Sequence, residues 1–158
     1  MEWMFLPYQR YADFEGRSRR MEYWMFQFLN AIVMVVIIAF FIAGLPPALF
    51  SDPAVFSDPA ALEAGARQPG FMMWVAIALL VFWALTSFVP SIALVVRRLH
   101  DRDMSGWWYL GFIFLQAIPF IGWIASIAFF VITVLPGTDG PNRFGPDPLY
   151  PDESYAFA

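Results

Sequence analysis

The 158-residue chain contains no cysteine and no lysine, a single histidine and few charged residues. Without cysteine there are no disulfides, no thiolate nucleophile and no Cys-based metal site. Charged residues make up 14% of the chain, whereas soluble domains average about 25%. Hydrophobic residues make up 60% and aromatic residues 20%. This composition excludes a soluble enzyme domain, a disordered chain and a disulfide-rich secreted one.

The few charges are absent from three long stretches, residues 23–51, 68–96 and 104–138, which are 29, 29 and 35 residues long. A transmembrane helix needs about 20 consecutive apolar residues. The pattern therefore predicts an all-α, polytopic helical membrane protein. Four acidic residues precede the first apolar stretch, unlike the short basic start of a signal peptide, so we interpret this stretch as an uncleaved span.

We expect three spans, at residues 23–44, 71–96 and 107–135, which together form a helical bundle over 23–135. The segments outside the spans are an interfacial N-terminal segment, a Pro-rich loop and a Gly/Pro-rich tail, at residues 1–22, 45–70 and 136–158. Pro7 and Gly16 limit helix formation in the first of these. Within the loop, Asp-Pro sequences predict a brief helix over residues 59–67.

The third span is long for a single helix, because 29 residues extend about 43 Å. Pro119 lies near its middle. One interpretation is a single long span that is tilted or broken at Pro119. The other is a hairpin of two short helices, around 104–118 and 120–135, which gives four helices. The choice determines on which side of the membrane the tail lies.

Two tryptophans, Trp83 and Trp123, lie well inside the apolar stretches. A buried indole requires an acceptor for its N–H. We therefore expect both side chains to pack in the interior, each with a hydrogen-bond partner.

Arginine is concentrated in two segments: four of the nine lie within residues 1–22 and three within 97–106. Short cytoplasmic loops carry an excess of basic residues. This distribution predicts that the N-terminus and the 97–106 loop face the cytoplasm and that the 45–70 loop faces outward. The chain has no basic tail, which argues against nucleic-acid binding.

The two arginine-rich segments are expected to meet at one membrane surface as an ionic cluster. Arginine and carboxylate groups form forked, charge-assisted hydrogen bonds that hold helices together. Guanidinium groups left over could bind anionic lipid headgroups. The candidate residues are Arg17, Arg19, Arg20, Glu22, Arg97, Arg98, His100, Asp101 and Arg102.

Two further interpretations stay open at this point. A membrane enzyme acting on a lipid phosphate would use His100 and Asp101 as acid and base, but no serine-protease order, HExxH motif or P-loop accompanies them. An oligomeric transport or channel component is the other, although transporters usually keep charges inside their spans. We therefore predict no catalytic residue, no metal site and no cofactor.

Four motifs can be considered as a set: FEGRSRRMEYW at 14–24, RRLHD followed by SGWW at 97–108, IPFIG at 118–122 and GTDGPNRFGPDP at 137–148. Together they resemble the bacterial inner-membrane family called domain of unknown function 805. The resemblance implies a small polytopic inner-membrane protein without an established activity. We expect a multi-pass, non-enzymatic protein with a cytoplasmic N-terminus. Its cluster would organise the bundle and contact anionic lipids, a partner protein or a second copy of the chain.

Overall fold

A computed structural model of the chain describes residues 2–47, 50, 58–66 and 70–150. Its helices are α1 (Glu2–Gln9), α2 (Arg20–Ala43), α3 (Pro59–Ala66), α4 (Phe71–His100), α5 (Trp107–Gln116) and α6 (Ile121–Val134). Within the described residues, β-pairing is limited to one bridge between Asn142 and Gly145. The all-helical architecture expected from the sequence is confirmed.

Helices α2 and α4 are long and apolar enough to cross a membrane, with 24 and 30 residues. They extend about 36 and 45 Å, against a hydrocarbon core of about 30 Å. Only 11% and 28% of their apolar windows are buried within the protein. The core helix of a soluble protein would bury most of that surface, so these exposed apolar side chains suit contact with lipid.

Both long helices include charged residues that the sequence-based boundaries excluded. Helix α2 begins at Arg20 rather than at residue 23, and α4 continues to His100 rather than ending at residue 96. The first charge marks where the apolar environment ends, but the backbone ladder continues because arginine is a good helix former. The first residues of the 97–106 loop are therefore helical.

The third apolar stretch forms a hairpin, so the single-span interpretation is wrong. Helices α5 and α6 pack together through Phe129, whose ring centroid lies 5.3 Å from that of Phe112 and 6.1 Å from that of Tyr109. Between them, Ile121 N donates to Pro119 O at 2.8 Å, and Phe120 has φ 64° and ψ −46°. This is the positive-φ γ-turn, a rare and strained connection.

The chain divides into two compact units, of which one is Leu29–Thr86. In this unit Trp83 Nε1 donates to Asn30 Oδ1 at 3.0 Å, which confirms the expected partner of the Trp83 indole. Gly70 N donates to Gly44 O at 3.0 Å, next to the start of α4. The brief helix predicted after Asp58 is present as α3, and Asp58 Oδ1 accepts a hydrogen bond from Ala60 N at 2.9 Å.

The second unit comprises Met1–Phe28 and Ser87–Ala158, within the described range, and it holds every candidate site residue. Its hydrophobic core consists of Tyr23, Phe26, Leu94, Val95 and Leu99. Helix α1 forms although it contains Pro7, and the Tyr8 hydroxyl lies 2.7 Å from that of Ser87. By contrast, Trp123 is 78% exposed on α6, so the prediction of interior packing was wrong for this residue.

Candidate functional site

The centre of the site is the buried carboxylate of Asp101, which lies between two buried arginines. Its Oδ1 lies 2.9 Å from Arg17 Nη2 and accepts a hydrogen bond from Arg17 Nε at 3.0 Å. Its Oδ2 accepts one from Arg98 Nη1. Charge-assisted bonds of this kind satisfy the ions that burial removes from water. The structure thus brings together three of the residues selected from the sequence, Arg17, Arg98 and Asp101.

The same two arginines also bind the backbone of the C-terminal segment. Arg17 Nη1 and Nη2 donate to the carbonyl oxygens of Gly140 and Thr138, each at 2.6 Å. Arg98 Nε donates to Thr133 O at 3.2 Å. Arg17 therefore joins the N-terminal segment to the tail, and Arg98 joins the end of α4 to the last turn of α6.

Close contact at Asp101 also depends on a glycine in the tail. A Cβ atom built on Gly137 would lie 2.6 Å from Asp101 Cγ, too close for any side chain. The backbone carbonyl of Asp101 accepts a hydrogen bond from Thr138 N at 2.9 Å. The tail is therefore held by both the side chain and the backbone of Asp101.

A second buried ion pair joins α2 to α4. Arg97 Nη2 donates to Glu22 Oε1 at 3.0 Å, and Ser18 Oγ donates to Glu22 Oε2 at 2.6 Å. Arg97 Nη1 donates to the backbone carbonyl of Asp13, and Arg97 O accepts from Ser18 N at 3.2 Å. Helix α4 is thereby fastened to the N-terminal segment as well as to the tail.

The N-terminal segment also contains a local ion pair outside the spans, between Arg10 and Asp13. Arg10 Nε donates to Asp13 Oδ2 at 2.8 Å, and Glu15 N donates to Asp13 Oδ1 at 3.0 Å. Partial burial raises the pKa of Asp13, but these two hydrogen bonds and the charge of Arg10 outweigh it, so the pKa is lowered overall.

His100 does not face Asp101 as an acid–base partner. Its Nδ1 lies 3.2 Å from Gly16 O, and its ring stacks on Phe144 with centroids 3.9 Å apart and planes 4° apart. Its backbone carbonyl accepts a hydrogen bond from Asn142 Nδ2 at 2.9 Å. The contacts of His100 thus hold the tail and the turn before α2.

The remaining loop arginine also contacts the tail. Arg102 Nη1 donates to Pro136 O. At the solvent-exposed edge of the site, the Arg143 Nε atom lies 3.1 Å from Asp103 Oδ1, and both side chains are about half exposed. Exposed pairs of this type contribute little to stability.

Arg19 and Arg20 stand apart from the buried cluster and line a cavity of about 190 Å³. Arg19 Nε donates to Pro148 O, and its guanidinium carbon lies 5.4 Å from the centroid of the Trp3 ring. Arg20 is exposed, and among the described residues no carboxylate lies within ion-pair distance of it. The cavity also has acidic walls, because Asp101, Asp139 and Asp147 line it.

Sequence reasoning assembled most of the cluster but gave no role to the tail residues that complete it. Those residues are Gly137, Thr138, Asp139, Gly140, Asn142, Phe144 and Asp147. The signal was available, since they all lie in the GTDGPNRFGPDP motif at 137–148. The pattern did not indicate which carbonyl oxygens would turn toward arginine, because that depends on the backbone path.

Comparison with known proteins agrees with this picture. Residues 11–146 match the family described as "Protein of unknown function (DUF805)". The inner membrane protein YhaI of Escherichia coli K12 is 35% identical over 150 residues, which cover 95% of this chain and 98% of YhaI. The inner membrane protein YhaH of the same strain is 36% identical over 148 residues, covering 94% of this chain and 97% of YhaH.

No solved structure matches the chain. The family match extends from the N-terminal segment to the tail motif, so it includes the buried ion pairs and nine of the thirteen residues that line the cavity. The names of YhaI and YhaH state a location and no activity. The resemblance read from the four motifs is confirmed, and the chain belongs to the DUF805 family of integral inner-membrane proteins.

Proposed function

We propose that this is a non-enzymatic inner-membrane protein whose buried ionic cluster organises the cytoplasmic end of the helices. We further propose that Arg20, together with Arg19, contacts the phosphate of anionic lipid headgroups. The first role belongs to Arg17, Arg97 and Arg98. The second belongs to the two arginines that line the cavity.

The division of roles follows from how many partners each guanidinium has. Arg17 and Arg98 each bind Asp101 and backbone carbonyl oxygens, and Arg97 binds Glu22. All three arginines are at most 5% exposed. A lipid phosphate could reach them only by displacing these bonds, so lipid binding by Arg97 and Arg98 themselves is disfavoured.

The proposal rests on the position and the solvent exposure of Arg20. Arg20 is the first residue of α2, its side chain is exposed, and it lines a cavity together with Arg19 and Trp3. Basic pockets at the cytoplasmic side of spans bind anionic headgroups, and helix N-termini favour anions. A tryptophan at this position suits the membrane interface.

The cytoplasmic placement is supported by contacts among three segments. The N-terminal segment, the end of α4 with its following loop, and the tail are hydrogen bonded to one another through Arg17, Arg97 and Arg143. They therefore belong on one side of the membrane. Eight of the nine arginines lie in these segments: Arg10, Arg17, Arg19, Arg20, Arg97, Arg98, Arg102 and Arg143. The positive-inside rule assigns such a face to the cytoplasm.

The α5–α6 hairpin fits the same placement. Its helices contain 10 and 14 residues and extend only about 15 and 21 Å, short of the hydrocarbon core of about 30 Å. We propose that the hairpin enters the bilayer and returns to the face from which it came. The tail then lies on the cytoplasmic side with the N-terminus.

Acid–base catalysis by His100 and Asp101 is not favoured by this geometry. Both Asp101 oxygens accept hydrogen bonds from arginine, and Nδ1 of His100 lies against a backbone carbonyl. A general base must be within hydrogen-bond reach of the proton that it removes. Both groups have other partners here.

Native mass spectrometry of the full chain in detergent, with added phosphatidylglycerol, tests the lipid contact. Arg20→Gln should lower retention of this lipid about fivefold, since one basic residue near an anionic surface contributes about 1 kcal/mol. The matched control is Arg143→Gln, which removes the same charge from an exposed arginine outside the cavity. Equal retention by the wild type and Arg20→Gln, or an equal loss in both variants, would overturn the proposal.

A further inference from the structure

The cavity beside Arg20 carries charges of both signs. Arg17, Arg19 and Arg20 contribute three cations to its lining, and Asp101, Asp139 and Asp147 contribute three anions. A site for a simple anion would be basic on all sides. The charges available to a ligand are those that have no charged partner within the protein.

Two of the six charges belong to the buried cluster, in which Asp101 is shared between Arg17 and Arg98. Arg17 and Asp101 form a buried ion pair with each other at 2.9 Å. The remaining charged residues of the lining are two cations, Arg19 and Arg20, and two anions, Asp139 and Asp147.

The two remaining carboxylates differ in burial. Asp147 is 6% exposed, and its oxygens accept hydrogen bonds from Gly140 N at 3.1 Å and Leu149 N at 2.8 Å. Asp139 is exposed. Within the described part of the chain, no basic side chain lies within ion-pair distance of either carboxylate. The hydrogen bonds to Asp147 satisfy its oxygens but leave its negative charge unbalanced, and the exposed Asp139 adds a second unbalanced charge on the cavity wall.

The cavity is large enough for a small polar group. Its volume of about 190 Å³ is many times the roughly 10–15 Å³ that admits one water molecule. The lining also includes Trp3, Met21, Pro136 and Leu149, so the polar part of the cavity adjoins an apolar part. A headgroup attached to an apolar chain has this same combination of surfaces.

From these observations we propose that the cavity recognises a phosphate ester that also carries an ammonium group, the chemistry of an aminophospholipid headgroup. Arg19 and Arg20 bind the phosphate, and Asp139, supported by the charge of Asp147, binds the ammonium. This inference rests on the proposed phosphate contact at Arg20. It changes the class of headgroup from a purely anionic one to a zwitterionic one, whose phosphate binds the same two arginines. A soluble phosphoamine has the same polar groups as the lipid and lacks its acyl chains.

The test compares phosphatidylethanolamine with phosphatidylglycerol of identical acyl chains, by native mass spectrometry of the full chain in detergent. The wild type should retain phosphatidylethanolamine in preference. Asp139→Asn should lower its retention about tenfold, the effect of losing one charge-assisted bond, and leave phosphatidylglycerol retention unchanged or higher. Arg20→Gln should lower both. Asp103→Asn removes a carboxylate outside the cavity and should change neither.

The outcomes separate the two proposals. If Arg20→Gln lowers the retention of both lipids while Asp139→Asn changes neither, the contact at Arg20 stands and the ammonium site is overturned. If Arg20→Gln has no effect on either lipid, the contact itself fails. Soluble phosphoethanolamine distinguishes the source of the ligand: competition at a concentration equal to that of the lipid supports a soluble ligand of this chemistry, and competition only at large excess supports the lipid.

Discussion

Asp101 forms an ion pair with Arg17, which lies 84 positions earlier in the chain. The Arg17 Nη2 and Asp101 Oδ1 atoms are 2.9 Å apart, and both side chains are almost fully buried. Asp101 also forms an ion pair with Arg98, which lies one helical turn before it. One carboxylate therefore compensates two buried guanidinium groups. Each of those groups also binds backbone carbonyl oxygens near the end of α6 or in the tail, so the carboxylate is the point through which three segments are joined.

Asp101→Asn should be among the most destabilising single substitutions in the chain. Asparagine keeps the shape of the side chain but leaves Arg17 and Arg98 buried without a negative charge. Breaking a buried pair in this way costs about 3–5 kcal/mol. Thermal unfolding in detergent, followed by circular dichroism, measures the loss. Asp103→Asn removes a half-exposed carboxylate two residues away and should change stability by less than about 0.5 kcal/mol.

The Arg97–Glu22 pair allows a double-mutant cycle. Glu22→Leu and Arg97→Met should each destabilise by about 3 kcal/mol, because each leaves the partner's charge buried alone. The double variant Glu22→Leu with Arg97→Met replaces the pair with apolar groups. It should be more stable than the sum of the two single effects predicts, with a coupling energy above about 1 kcal/mol. Additive losses would mean that the two residues act independently.

Gly137→Ala tests the docking of the tail. The new methyl group would lie against the carboxylate of Asp101, so the tail must move away or Asp101 must leave its arginines. We expect faster proteolysis after residue 137 and a lower unfolding temperature. Gly111→Ala is the opposite control. A Cβ there meets only one atom, at 4.0 Å, and Ala in place of Gly within a helix should stabilise by about 1 kcal/mol.

The sequence predicted the helical class, both long apolar helices and the residues that form the buried ion pairs, because each depends on local chemistry. Charge-free runs define membrane helices, and arginine beside carboxylate predicts an ion pair. The sequence did not separate structural from accessible arginines. Arg17 and Arg20 lie three positions apart with identical side chains, yet Arg17 is buried with three hydrogen-bond partners and Arg20 is exposed. That difference arises from the path of the tail, which brings Thr138 and Gly140 to Arg17.

The hairpin at Pro119 illustrates the same limit. Proline without an N–H indicates a break, but a broken helix and a hairpin interrupt the same backbone hydrogen bonds. The packing of Phe112 and Tyr109 on Phe129 decides between them, and such contacts between residues 17 and 20 positions apart are not visible as a local pattern. The short turn also requires a strained residue, Phe120.

Phe120 should therefore respond unusually to substitution. Its φ of 64° strains any side chain with a Cβ, and its own side chain is 88% exposed. Phe120→Gly should be more stable than Phe120→Ala by about 1–2 kcal/mol, since both lose the aromatic ring and only glycine relieves the backbone. The comparison isolates the backbone effect from lost contacts with lipid. Equal unfolding temperatures would argue against the γ-turn.

The side of the tail can be measured directly, because a chain without cysteine accepts single reporters. Tyr11→Cys in the N-terminal segment and Pro141→Cys in the tail both lie at exposed positions. In intact cells, a membrane-impermeant maleimide should label neither, and it should label both in inverted membrane vesicles. Leu62→Cys, in the loop predicted to face outward, should show the reverse pattern. Labelling of Pro141→Cys in intact cells would separate the tail from the N-terminal segment. That result could not be reconciled with the hydrogen bonds from Arg17 to Thr138 and Gly140, which require both segments on one face.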